Sequence, residues 1–301
     1  MSEASELYDI QYLIFNYEMT KEQILSKLLS IYLYETYGEV MSFKDMFSRG
    51  QKDGEANILS DEGYALIEKC IPILEKFASR ITFRPEAKTF DSYKEKLFDW
   101  VSKYGEFENE FNGFENNSFK PNNPNQILVV LTDHLNMVSA VPNIKTTIDN
   151  IANTQVSARN MCEILTFVNI MQLNRGASGD SRIRAQMFEP TDSDFRDSSV
   201  VYDGSMVVMT LFSPFKVGLK DHRHYDIEKL GDRYVSLKVL KNRFGSANIR
   251  DALAFYGEVN LYKELPSPDE IFDYEIYKHP DWLIKTDDIN SKPLKTFVFN
   301  E

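Results

Sequence analysis

Three side chains that could work on a phosphate stand where apolar runs stop. Glu18 follows Ile14-Phe15-Asn16-Tyr17, Asp133 follows ILVVL and Thr132, and Gln172 follows ILTFVNI and Met171. An acidic residue at the carboxyl end of a central strand is placed to hold the magnesium of a bound nucleotide. A second carboxylate could polarise the water that attacks a γ-phosphate. A strand-end amide can sense that phosphate by hydrogen bonding. Each also has a plainer reading: a strand that simply ends in Asp, a glutamate favoured by the first turn of a helix, or a polar loop amide.

Two further groups carry cations. Lys241-Asn242-Arg243 closes the run YVSLKVLK, and residues two apart on a strand point the same way. Such a pair could reach a neighbouring subunit's triphosphate as an arginine finger with a companion lysine, or be a solvated strand end. The stretch Ser193-Asp194-Phe195-Arg196-Asp197-Ser198-Ser199 could track a nucleic-acid backbone through Arg196 and main-chain N–H groups, or be a solvated turn. Asp221-His222-Arg223-His224 has no third ligand at metal spacing and reads as an exposed loop. Gly176-Ala177-Ser178-Gly179 lacks the lysine of a phosphate loop. Cys70 and Cys162 sit in apolar helical segments and read as buried thiols.

The elements that must position these groups follow from periodicity. Residues 10–17 suit a buried strand. Thr20 with Gln23 forms a capping box for a helix bearing Ile24, Leu25, Leu28, Leu29 and Tyr32 on one face. Residues 38–58 read as loop. Ser60 caps a second helix whose stripe is Leu66, Ile67, Cys70, Ile71 and Leu74, and Pro72 is expected to kink or split it. SRITFR is a short strand. Leu97, Trp100, Val101 and Tyr104 mark an amphipathic helix stopped by Gly105. The Asn-, Glu- and Phe-rich residues 106–125 read as an exposed loop. A strand at 127–131, a helix over 143–162, and strands at 164–170, 206–212, 234–241 and 258–264 complete an α/β pattern with antiparallel additions. The Pro-, Asp- and Lys-rich residues 265–301 read as an irregular extension.

The chain has 301 residues, enough to bury a sizeable core, with 43% apolar and 27% charged residues. It contains no apolar run of membrane-spanning length, and its start, MSEASELYD, is acidic rather than signal-like. Those features imply a cytoplasmic protein with no membrane association. The net charge of -12 argues against a protein that coats DNA on its outer face. It does not oppose one that grips a strand inside a pore lined by a few positive loops.

The segments IFNYEM, VVLTDHLNM, MQLNR, SDFRDSS with YDGSMVVM, and KNRFG, in that order, resemble successive landmarks of the RecA-like ATPase domain of DnaB-type replicative DNA helicases. ILSDEGYALIEKCIPILEK resembles the helical stretch those helicases carry between the first two landmarks, and the similarity covers about residues 10–264. The resemblance implies an α/β, RecA-like P-loop NTPase core with a mixed central sheet and flanking helices over 1–264, followed by the extension at 265–301. It implies ATP and Mg2+ as cofactors, ATP-dependent unwinding of duplex DNA during replication, single-stranded DNA as partner, and a homo-hexameric ring. Glu18 corresponds to the catalytic glutamate, Asp133 to the Walker B aspartate on the magnesium shell, and Gln172 to the γ-phosphate sensor. Arg196, Asp197 and Ser199 fall on the strand-contacting loop. Lys241 and Arg243 fall where the family acts in trans.

The sequence also departs from that pattern. His134 replaces the usual aromatic after Asp133, Ser199 a usual Gly, and Ser205 a usual acid. The phosphate loop G-x-x-x-x-G-K-[ST] is expected before IFNYEM, but nine residues precede Ile10, and none of the 13 glycines is followed by Lys. The resemblance therefore implies a core without its first strand and phosphate loop, with an open slot beside the Asp133 strand, completed by a separate polypeptide that bears the loop. Two other readings are a non-catalytic subunit for single-strand binding or ring assembly, and an inactive truncated product.

Overall fold

The computed structural model describes residues 9–49, 51–52, 55–56, 58–109, 113–114, 117–172 and 189–285. Its main elements in chain order are β1 (Asp9–Asn16), α1 (Lys21–Tyr37), α2 (Asp61–Ala78), β2 (Ile81–Phe83), α3 (Phe90–Val101), β3 (Gly105–Phe107) and β4 (Phe119–Pro121). Then come β5 (Gln126–Asp133), α4 (Ile144–Met161), β6 (Leu165–Ile170), α5 (Ser199–Gly204), β7 (Val207–Phe212), β8 (Tyr234–Asn242), β9 (Arg250–Tyr256), β10 (Leu261–Glu264) and α6 (Asp281–Lys285). The chain divides into two compact units, one made of residues 1–25, 66–208 and 240–245, the other of 26–65, 209–239 and 246–301.

The first unit is built on a four-stranded sheet in the order β2-β1-β5-β6, with every pairing parallel. Parallel strands need covered faces, and the sequence supplies apolar residues at alternate positions to meet helices. Leu13 and Phe15 of β1, Leu128 and Val130 of β5 and Leu165 of β6 form one buried cluster with Tyr93, Leu97 and Trp100 of α3 and Ile148, Ile151 and Ala158 of α4. The Phe15 and Tyr93 rings stack at 4.1 Å. A Thr89–Ser92 capping box starts α3, and the Asn143 side chain caps α4.

The second unit contains most of a second four-stranded sheet, in the order β10-β9-β8-β7, with β8–β9 and β9–β10 antiparallel. Its core joins Tyr34, Ile227, Leu230, Tyr234, Ala254, Tyr256, Tyr277 and Trp282. Tyr256 donates its hydroxyl to the Tyr277 carbonyl at 2.6 Å, and Arg233 forms a two-pronged ion pair with Glu258.

Several expectations are corrected. Among the described residues the longer strands form two four-stranded sheets, the first wholly parallel, beside three two-stranded pairs, where a mixed central sheet was expected. α1 begins at the Thr20–Gln23 box, but the residues it buries are Ser26, Leu29, Ser30, Leu33 and Tyr34. The loop at 38–58 contains a short helix, Phe43–Met46, with its own Ser42–Asp45 capping box. α2 continues through Pro72 and buries only Cys70 of its stripe. Gly105 opens a strand rather than ending a helix; a side chain there would collide with the Phe119 ring and the Lys120 carbonyl. The 106–125 stretch carries the β3–β4 hairpin, where Phe107 meets Phe98, Phe114 and Phe119. β9 is an addition to the strands expected from the sequence. The first part of the C-terminal stretch packs into the second core through Leu265, Ile271, Tyr277, Trp282 and Leu283.

The open slot is also elsewhere than expected. β5, which ends in Asp133, is flanked by β1 and β6. Among the described residues the free edge on that side belongs to β6, whose Thr166, Val168 and Ile170 face solvent, with Val168 and Ile170 43% and 46% exposed. An uncovered parallel edge with apolar side chains leaves backbone groups ready to pair.

Candidate functional site

The register of the parallel sheet levels three strand ends. Asn16 of β1 pairs with Asp133 of β5, and Asp133 pairs with Ile170 of β6. Glu18 lies two residues beyond Asn16 and Gln172 two beyond Ile170, so the three residues share the carboxyl edge of adjacent strands. That edge is where α/β sheets bind ligands.

Short backbone links fix each exit. The Tyr17 amide donates to the Asp133 carbonyl at 2.8 Å, and the Tyr17 hydroxyl donates to the Ala87 carbonyl at 2.7 Å. The buried Asn16 side chain closes a turn around Glu18: its amide donates to the Met19 carbonyl, and its carbonyl accepts from the Met19 amide at 3.3 Å. The Glu18 carboxylate stays more than half exposed. His134 Nε2 lies 3.8 Å from it, while His134 itself is buried and its Nδ1 has no hydrogen-bond partner among the described residues. The Gln172 backbone N–H donates to Asn136 Oδ1 at 3.1 Å, tying the end of β6 to the turn after Asp133.

Behind this edge lies a polar network that the sequence reading missed. Gln155 of α4 and Asn169 of β6 exchange two hydrogen bonds, of 3.0 and 2.7 Å. Gln155 also donates to the Tyr93 hydroxyl at 2.8 Å, and that hydroxyl lies 3.4 Å from Thr132 Oγ1. Burial pushes the Tyr93 phenol up to about 12, so it stays protonated. The available signal was Thr132, Gln155 and Asn169 interrupting apolar faces, since buried polar groups require partners.

Among the described residues no group of three or more His, Cys, Asp or Glu side chains could hold a metal ion. One carboxylate such as Asp133 still suits Mg2+, which keeps waters and completes its shell with substrate phosphates. The residues present fit a nucleotide's metal and attacking water, but not its phosphate cradle, because no Gly-Lys pair occurs in the sequence.

The expected trans cations do point the same way, but onto this chain's own α5. Lys241 Nζ donates to the Tyr202 and Asp203 carbonyls at 2.7 and 2.9 Å, and Arg243 Nη2 to the Asp203 carbonyl at 2.9 Å. Partial burial and then the neighbouring Arg243 hold the Lys241 ammonium below the usual lysine range. The loop containing Arg196 and Asp197 is a 3-10 turn, Asp192–Ser198, started by a Thr191–Asp194 capping box, and Ser199 opens α5. The side chains of Arg196 and Asp197, and all of residues 173–188, which include Asn174, Arg175 and Gly176–Gly179, lie outside the described residues.

No family model matches the chain, and no curated protein matches it in sequence. Solved structures do match. One is described as an ATPase domain, at 16% identity and a TM-score of 0.59, covering 86% of this chain and 75% of that one. Another is a DnaB-like replicative helicase studied for its interactions with primase, at 15% identity and a TM-score of 0.57, covering 88% of this chain and 56% of that one. The fold resembles that of DnaB-like helicase ATPase domains. At such identities the DnaB-like likeness is one of fold, and the chain spans little more than half of the second protein. Among the described residues no helix is long and apolar enough to cross a membrane.

Proposed function

We propose that this chain forms the DnaB-like core of a replicative DNA helicase, coupling ATP hydrolysis to strand separation within a homo-hexameric ring. The alignment of Glu18, Asp133 and Gln172 at the carboxyl edge of three adjacent parallel strands supports this reading most directly. When bound, Mg-ATP supplies the phosphoanhydride to be cleaved. Asp133 holds a place in the metal's shell, Glu18 orients and polarises water, and Gln172 hydrogen-bonds near the terminal phosphate. Lys241 and Arg243 serve the nucleotide of an adjacent copy, while Arg196, Asp197 and Ser199 lie along single-stranded DNA. The phosphate cradle comes from a segment outside residues 1–301, whose strand adds to the free edge of β6 and whose helix covers Val168 and Ile170.

Co-purification of the chain with candidate phosphate-loop segments, followed by ATPase and unwinding assays, tests the reading. A bound segment that confers ATP hydrolysis is expected. If segments that bind tightly confer no hydrolysis, the motor reading fails. A second reading, a non-catalytic single-strand-binding or assembly subunit, is favoured by the internal engagement of Lys241 and Arg243 and the lack of any Gly-Lys pair. It predicts strand binding indifferent to ATP in every complex.

A further inference from the structure

α5 has six residues, too few to be stable on its own backbone, and its last four carbonyls need outside donors. All four have them. Val201 accepts from the Ser205 amide and hydroxyl at 3.1 and 2.6 Å. Tyr202 accepts from Lys241, Asp203 from both Lys241 and Arg243, and Gly204 from Arg159 Nη1 at 3.0 Å. Lys241 Nζ also sits 5.1 Å from the centroid of the Tyr202 ring, and that ring contacts Phe195 at 5.5 Å. Phe195 immediately precedes Arg196 in the Asp192–Ser198 turn.

We infer that Tyr202 is a positioning residue that couples the Lys241–Arg243 pair to the Asp192–Ser198 loop. Seated on α5, the two cations hold its end and, through Tyr202 and Phe195, the loop. Two like charges converging on one carbonyl form a seat that a polyanion can compete for. Drawing the pair onto a phosphate strips the Asp203 carbonyl of both cationic donors, leaves the Tyr202 carbonyl only the longer 3.3 Å bond from the Ser205 amide, and so loosens both helix and loop. Linkage makes the effect reciprocal: a ligand that orders the loop strengthens the seat and holds the cations back. The loop's ligand and the cations' trans role rest on the function proposed above; the coupling itself rests on the contacts within this chain.

Hydrogen exchange of residues 192–206 in the full chain tests the coupling without any partner. Lys241→Met and Tyr202→Leu should speed exchange there at least about fivefold, while Tyr202→Phe, which keeps the ring, matches wild type. Residues 144–161 of α4 serve as the control for an intact fold. Binding of a fluorescent oligo-dT across a salt series supplies the second readout. Tyr202→Leu should weaken it at least about fivefold with an unchanged salt slope, because no phosphate-neutralising charge is lost. Wild-type exchange in both Lys241→Met and Tyr202→Leu would overturn the coupling, and so would faster exchange with undiminished oligo-dT affinity. Should Tyr202→Leu lose the α4 control, Lys241→Met decides. A wild-type chain that binds no oligo-dT sinks the strand-binding function instead, and exchange alone then judges the coupling.

Discussion

Glu18 and Asp133 are both carboxylates at paired strand ends, yet their substitutions should fail differently. Glu18 is open to solvent beside His134, suited to touching water, and Asp133 ends the strand enclosed by β1 and β6. In a complex that supplies the phosphate cradle, Glu18→Gln should lower hydrolysis about 10²–10⁴-fold and leave nucleotide affinity nearly unchanged. Asp133→Asn should instead remove the magnesium dependence of binding. Nucleotide titrations with and without Mg2+, beside turnover rates, separate the two; equal loss of binding in both variants would contradict the division of roles. The polar network behind the site permits a test on the chain alone. Asn169→Leu strands the Gln155 amide, which should cost about 1–3 kcal/mol in urea unfolding. The double change Asn169→Leu with Gln155→Leu should recover part of that loss, since fewer buried groups then lack a partner. A double variant no more stable than the single one would mean the network is not a closed exchange.

At the scale of elements, β6 carries the argument. Val168 and Ile170 project from an edge strand, so replacing both with Lys should leave the chain's unfolding midpoint nearly unchanged while abolishing capture of a phosphate-loop partner. Undiminished capture would place the partner elsewhere. The elements around the site were legible because their patterns are strong. β1 and β5 are continuous apolar runs, and α3 repeats Leu97, Trp100 and Val101 at helical spacing. What escaped did so for physical reasons. β9 turns Ala252, Ala254 and Tyr256 inward, and alanine carries little strand signal. The hairpin of β3 and β4 is held by Phe107 and Phe119 in a segment whose Asn and Glu content reads as loop. Pro72 suggests a kink or a split, but local propensity does not split α2, which runs through it as one helix. The three site residues could be picked out, but their levelling could not, because it depends on two registers, that of β5 with β6 and that of β5 with β1, the second between strands more than a hundred residues apart. The engagement of Lys241 and Arg243 with α5 was likewise hidden, because an acceptor carbonyl leaves no trace in side-chain identity.

Both cores of the molecule contain buried phenols, and this gives the chain a weakness at high pH. Tyr17 and Tyr93 lie in the first core and Tyr256 in the second, and burial raises all three above the usual phenol range, Tyr93 to about 12. In the unfolded chain each ionises near its ordinary value of about 10. Below that pH both states keep the proton and stability is level. Above it the unfolded state loses protons that the folded state retains, so stability falls, by about 1.4 kcal/mol per pH unit for each such phenol. Cys162, pushed up to about 12 by burial from an ordinary 9.0, begins the same loss slightly earlier. The loss is compounded by charge, because a chain already at -12 becomes more negative as it unfolds and ionises, which favours the expanded state. Urea midpoints measured at intervals from pH 8 to about 11.5 should therefore hold level and then bend downward near pH 9–10, with the buried phenols' share of the phenolate absorbance appearing only as the chain unfolds. Cys162→Ala should move the onset up and make the later slope shallower by about 1.4 kcal/mol per pH unit. A midpoint that stays level through about pH 11 would mean that these phenols and the thiol titrate in the folded state, and that neither core excludes water as its packing requires.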